Sequence, residues 1–301
     1  MTARQDIWPI AHDVILALGD RYSPAMEKAA QETELDKSEY GLLITALTFD
    51  PQPIASWRLR VRNPYTAAGR YEARLRKASR LGFFKAAHEG EYVLTEMGRN
   101  TARRMLDAAC EAMAKLKPMP KAELERIAEL MRRLVEACLA ADEPPGKWSL
   151  TLSRKLDPGD AAAALVRIEQ YISDLAAYRD DAHLAAWQPN GLSGAAWEAL
   201  TLLWRGEART LDDLCRKLER RGQSRDNYAE AANDLVQRSL VAEDTGVFAV
   251  TKQGQKTRQN AEALTDRYFY APWKRLKPAE ADELRALLAK LRDGLKRSRA
   301  K

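Results

Sequence analysis

The sequence predicts a mainly helical protein written as two similar halves, each with short helices around a tight turn followed by a small hairpin. Three observations predict it. The 301 residues hold only 15 Gly and 13 Pro, and Ala, Leu, Arg and Glu dominate, a composition that favours helix over strand. Hydrophobic content of 46% with 31% charged residues suits globular domains with cores of their own. Finally, apolar positions and turn residues recur at an offset of 157: Tyr40 and Leu43 fall on Trp197 and Leu200, Trp57 and Val61 on Leu214 and Leu218, and Tyr71 on Tyr228. After small slips, Thr95-x-x-Gly98 meets Thr251-x-x-Gly254, and Leu116-Lys117-Pro118 meets Leu276-Lys277-Pro278. A repeat this long makes each half one structural unit.

Taken in order, the first helix runs from Ile7 to Gln31, with Val14, Ile15 and Leu18 on one face. Ser38 opens a second helix, which Asp50-Pro51 ends. Ile54, Trp57 and Val61, spaced i, i+3 and i+7, imply a short third helix stopped by Asn63-Pro64. A fourth helix, Ala67 to Arg80, should bury Tyr71, Leu75 and Ala78. Two short helices split by a brief turn have the form of a helix-turn-helix. Gly82-Phe83-Phe84-Lys85 and Glu91-Tyr92-Val93-Leu94 read as two strands, a hairpin or wing. Thr95 then caps a long helix to Lys115, and a last one spans Ala122 to Ala140. The divisions are residues 1–141 for the first unit, 142–157 for a linker marked by Pro144-Pro145-Gly146, and 158–301 for the second unit. In the linker, the alternation of Trp148, Leu150 and Leu152 suggests an extended segment packed on one side, and a new helix should start near Asp157-Pro158 or Asp160.

This order, with Arg80-Leu81-Gly82-Phe83-Phe84, the Val93-Leu94-Thr95-x-x-Gly98 junction and Leu116 through Leu124, resembles the MarR type of winged-helix transcription regulators. The Asp-x-Arg signature usual in the wing of that family is missing from both halves. The resemblance implies tandem winged helix-turn-helix units with long dimerisation-type helices and small two-stranded wings. It also implies a covalent pseudo-dimer, monomeric as a chain, with recognition helices one DNA turn apart and double-stranded DNA as partner.

Charge separates the halves. Residues 55–86 carry Arg58, Arg60, Arg62, Arg70, Arg74, Arg76, Lys77, Arg80 and Lys85 against Glu72 alone, a net of +8; the matching stretch 212–243 nets −1. Because duplex DNA carries one charge per about 1.7 Å of axis, the first unit is expected to hold most of the contact. Arg70 and Arg74 are the candidates for base edges, and Arg58, Arg60 and Arg62 for phosphates. Lys77 and Lys85 add to that surface, and Thr66 serves as helix cap or phosphate donor. Arg220, Arg221 and Arg225 are the weaker counterparts in the second unit. Trp187, Trp197, Trp204, Tyr268, Tyr270 and Trp273 form an aromatic cluster, for which the resemblance implies a pocket for a small aromatic effector; packing in the core is the plainer role for so many aromatics.

Enzymatic chemistry has no positive support, since no phosphate loop, nucleophile elbow or metalloprotease motif appears. His12, His88 and His183 lie far apart and have no metal-ligand spacing with Cys110, Cys138 and Cys215, so neither metal nor cofactor is expected. Three unpaired cysteines, no apolar run of membrane length and no apolar leader in Met1 to Asp6 point to a cytoplasmic protein. A protein-interaction module on the same fold is the alternative to a DNA-binding regulator.

Overall fold

A computed structural model describes residues 5–31 and 33–297; most of the amino-terminal stretch read for a leader lies outside them. The first half runs α1 (Ile7–Ala29), α2 (Lys37–Leu47), β1 (Ile54–Ala55), α3 (Ser56–Arg62), α4 (Ala68–Arg80), β2 (Phe84–His88), β3 (Glu91–Leu94), α5 (Glu96–Ala114) and α6 (Lys121–Ala140). A short α7 (Trp148–Ser153) leads to α8 (Ala164–Trp187), α9 (Gly194–Trp204), α10 (Leu211–Lys217), α11 (Arg225–Gln237), β4 (Val241–Asp244), β5 (Val247–Val250), α12 (Lys252–Tyr270) and α13 (Pro278–Arg297). The chain is therefore mainly helical, with one three-stranded sheet in the order β1-β3-β2 and one two-stranded sheet, β4-β5.

Three cores hold the chain together. The largest is a helical base in which Val14 and Leu18 of α1, Ile127 and Leu134 of α6, Ile168 and Ile172 of α8, and Leu288 and Leu291 of α13 are all buried. Ion pairs clip α6 to α13: Arg126 to Glu283 at 2.7 Å and Arg133 to Glu280 at 2.7 Å. Two smaller cores sit apart from the base. Leu43, Ile54, Leu75 and Phe84 centre a first head, and Trp197, Leu200, Leu214 and Leu235 centre a second.

The hairpin-to-helix junction has the same construction in both halves. Thr95 Oγ1 donates to Gly82 O at 2.7 Å and accepts from Gly98 N at 3.0 Å; Thr251 Oγ1 donates to Ser239 O at 2.6 Å and accepts from Gly254 N at 3.1 Å. A Cβ on Gly98 would lie 2.1 Å from Phe83 O, and one on Gly254 2.1 Å from Leu240 O. Thr-x-x-Gly is thus a cap joined to a close approach, where the strand's carbonyl excludes any side chain.

Four departures from expectation concern the secondary-structure elements themselves. Ile54 lies in β1, paired with Tyr92 of β3, rather than in a helix. Trp57 and Val61 are 57% and 39% exposed, so they do not form the buried face of α3. Trp148 to Ser153 is helical rather than extended, because the buried Asp181 carboxylate accepts from Ser149 N at 2.8 Å and Leu150 N at 2.9 Å. A carboxylate at those free amides serves as the cap the local sequence lacks. Lastly, α8 begins at Ala164, so neither Asp157 nor Asp160 caps it.

Candidate nucleic-acid interface

In the first head, α4 buries Tyr71, Leu75 and Ala78, as the periodicity requires. The opposite face then follows from a turn of 3.6 residues: Gly69, Ala73, Arg76 and Arg80 point outward, all exposed. Arg70, Arg74 and Lys77 flank that line. Arg60 on α3, Arg70 and Arg80 on α4, and Lys85 on β2 are exposed, and among the described residues none takes part in an ion pair within 4 Å. Arg76 reaches Glu72 only at 4.0 Å. These side chains lie on one helix-turn-helix and its adjoining hairpin.

The other candidates are tied inward. Arg62 donates to Asp180 of α8 at 2.8 Å through Nε. Lys77 bridges Asp36 at 3.2 Å and the buried Glu39 at 2.9 Å, and those carboxylates hold its ammonium above its usual range. Arg74 is half-buried, and desolvation lowers its pKa. Arg58 lies over the exposed Trp57 ring at 4.9 Å, with its Nε buried and without a hydrogen-bond partner. Thr66 is buried and one residue short of the cap position, which Ala67 occupies; its Oγ1 reaches Asn63 Oδ1 at 3.4 Å instead. It is not the cap.

The turn between α3 and α4 is built into the second head. Ala67 N donates to Arg221 O at 2.9 Å, and Gln223 Nε2 donates to Tyr65 O at 3.0 Å. Trp187 Nε1 donates to the Tyr65 hydroxyl at 3.1 Å, and the Arg221 guanidinium sits 5.3 Å over the Tyr65 ring. Burial beside Trp187 pushes the Tyr65 phenol up to about 12. Arg221 also grips Glu198 through Nε at 2.9 Å. Arg70 packs over Gly222, and Gly194 lets Pro64 O approach to 2.4 Å of where its Cβ would be. Because Arg221 lies three residues before Ser224, the N-cap of α11, the leading ends of α4 and α11 are neighbours. The separation of one DNA turn, about 34 Å, implied by the resemblance is not found. Sequence reasoning missed Tyr65; its only local signal is the Asn63-Pro64 turn before it.

On the second head, Asp226, Asn227, Glu230, Asn233 and Gln237 line the exposed side of α11. Arg225 is paired with Asp212, Arg221 is locked in the seam, and Arg220 stands exposed. The six aromatic candidates fall into two separate groups. Trp187 stacks on Trp197 at 5.3 Å, and the buried Arg258 guanidinium lies 4.4 Å from Trp197 and 5.1 Å from Trp204. Tyr268, Tyr270 and Trp273 instead pack around Phe269 in the base, so the six do not wall one cavity. Beside Trp197, His183 is neutral: Trp197 Nε1 can only donate, so His183 Nε2 accepts at 3.4 Å and Nδ1 carries the proton toward Thr265 Oγ1 at 3.3 Å. Burial drives its pKa down to about 4.

Burial also pushes the Cys110 and Cys138 thiols up, which leaves neither a ready thiolate. Among the described residues, no helix is long and apolar enough to cross a membrane, and no group of His, Cys, Asp or Glu is placed to hold a metal ion.

Comparison with curated proteins and with solved structures finds no match. A helix-turn-helix family matches residues 95–300, which take in α5, α6 and every later element. With two thirds of its length inside that match, the chain belongs to this helix-turn-helix family.

Proposed function

We propose that the protein is a transcription regulator of MarR type, a single-chain pseudo-dimer that grips duplex DNA mainly through the first head. On this reading residues 1–141 and 158–301 are duplicated winged-helix units, and the protein works as a cytoplasmic monomer whose binding responds to a small effector. The like order of elements in the two halves and the twin Thr-x-x-Gly junctions support the duplication. The observation that carries the DNA reading is the contrast between heads: Arg60, Arg70, Arg80 and Lys85 stand exposed and unpaired on the first, whereas acids and amides line α11. Arg76 and Arg80, at the outer edge of α4, join the candidates for groove contact. Gly69 and Ala73 leave that edge thin enough for close approach.

The test is the salt dependence of binding to duplex fragments. Each phosphate contact contributes about 0.9 to the log–log slope, so Arg60→Ala with Arg80→Ala should flatten it by about two. A wild-type slope near zero overturns the reading. It would favour the second one, a protein-interaction module, which the docked leading end of α4 supports, because that end is already occupied by the second head.

A further inference from the structure

We propose that the cavity between α1, α5 and α8 binds a lipophilic ammonium ion, with Glu169 as its counter-charge. The cavity measures about 660 Å³, within the range of about 300–1,000 Å³ usual for small-molecule sites. Its walls are mostly apolar, with Met26, Leu106, Met113, Leu156 and Val166 among them. The charged residues that line it are all acids: Glu169, with Asp107 and Glu111.

Glu169, half-buried on the cavity wall, differs from the buried carboxylates of this fold. Asp174 is paired with Arg154 at 2.7 Å, Glu39 with Lys77 at 2.9 Å, and Asp181 caps two backbone amides. Among the described residues, Glu169 has no cation within ion-pair distance. Its Oε1 accepts only from neutral hydroxyls, Tyr22 at 3.4 Å and Ser173 at 3.3 Å, both long. Desolvation with no compensating cation holds its carboxyl above the usual range. A charged amine with an apolar body supplies what is missing, since its body replaces water along the wall and its ammonium meets the acid. An aromatic carboxylate would meet like charges at Glu169 and Asp107, with Glu111 offset by Lys115 at 3.9 Å. Occupancy also bears on the first head, because Ile44 of α2 closes one side of the cavity.

Calorimetry on the full chain, without DNA, keeps this site separate from the DNA reading. The probes are 4-phenylbutylamine, 4-phenylbutanol and 4-phenylbutyrate, which share a body and differ in charge. The amine should bind at least tenfold tighter than the alcohol, and the acid should not bind. Glu169→Gln should weaken the amine at least tenfold and leave the alcohol unchanged. Ala114→Trp, at an exposed residue of the rim, should weaken both. The proposal falls if the acid binds as tightly as the amine, if none of the three binds, or if either substitution leaves amine affinity intact. The comparison of amine with acid on the wild-type protein decides even where a variant fails to fold.

Discussion

Replacing Tyr65 with alanine is expected to unclasp the two heads. The side chain accepts a hydrogen bond from Trp187 Nε1 at 3.1 Å, lies 5.9 Å from the Trp187 ring, and carries the Arg221 guanidinium at 5.3 Å. The hydrogen bond is worth about 1 kcal/mol, the aromatic pair about 0.5–1.5 kcal/mol and the cation over the ring about 0.5–1 kcal/mol. The seam should therefore weaken by about 3 kcal/mol, a factor of about a hundred in local opening, since each tenfold is about 1.4 kcal/mol. Hydrogen exchange at Ala67 reports this directly, because its amide donates across the seam to Arg221 O. Tyr65→Phe, which loses only the hydrogen bond, should raise exchange about fivefold. If Ala67 exchanges at the wild-type rate in Tyr65→Ala, the seam is held by something else and the reasoning fails.

Three further outcomes follow from the geometry. His183 has its pKa lowered from 6.5 to about 4, chiefly by burial; Glu262 opposes the shift, and Arg258, Arg179 and Arg205 add to it. Its contribution to stability is complete above pH 6.5 and is lost as pH falls toward 4, by about 2 kcal/mol after discounting its residual exposure; the loss in urea unfolding between pH 7.5 and pH 4.5 should be smaller in His183→Gln, and an unchanged loss would contradict this. Asp181→Ala leaves the Ser149 and Leu150 amides without their acceptor and should cost about 3 kcal/mol, whereas Asp181→Asn should cost less; equal stability of the alanine variant in denaturant titration would contradict the capping role. Gly98→Ala sets a methyl group 2.1 Å from Phe83 O and should lower stability by at least about 2 kcal/mol, visible as a lower melting temperature, while Gly41→Ala, whose Cβ would meet nothing within 4 Å, should not.

What the sequence made legible was local. Tyr71, Leu75 and Ala78 repeat with the helical period, and Thr95 stands three residues before Gly98, so α4 and the start of α5 could be placed from neighbours alone. What stayed hidden depends on distant partners. Lys77 counts as a free cation until Asp36 and Glu39 are folded beside it, and Arg62 until α8 brings Asp180 to it. The α7 helix looked extended because its cap comes from Asp181, some thirty residues downstream. The charge asymmetry was visible in the count, but which arginines face outward is set by where Tyr71 and Leu75 point. Ile54 fits a helical spacing equally well as a two-residue strand at a helix start, and only Tyr92 across the sheet decides between them.

The join at Tyr65 is lopsided. The residue 157 positions later is Gly222, and it faces Arg70 rather than a second tyrosine. An interface between two identical subunits carries every substitution twice, once on each side of its axis. Within one polypeptide a single codon alters a single wall, so the tightness of this clasp can be tuned in half-steps that no symmetric dimer has access to.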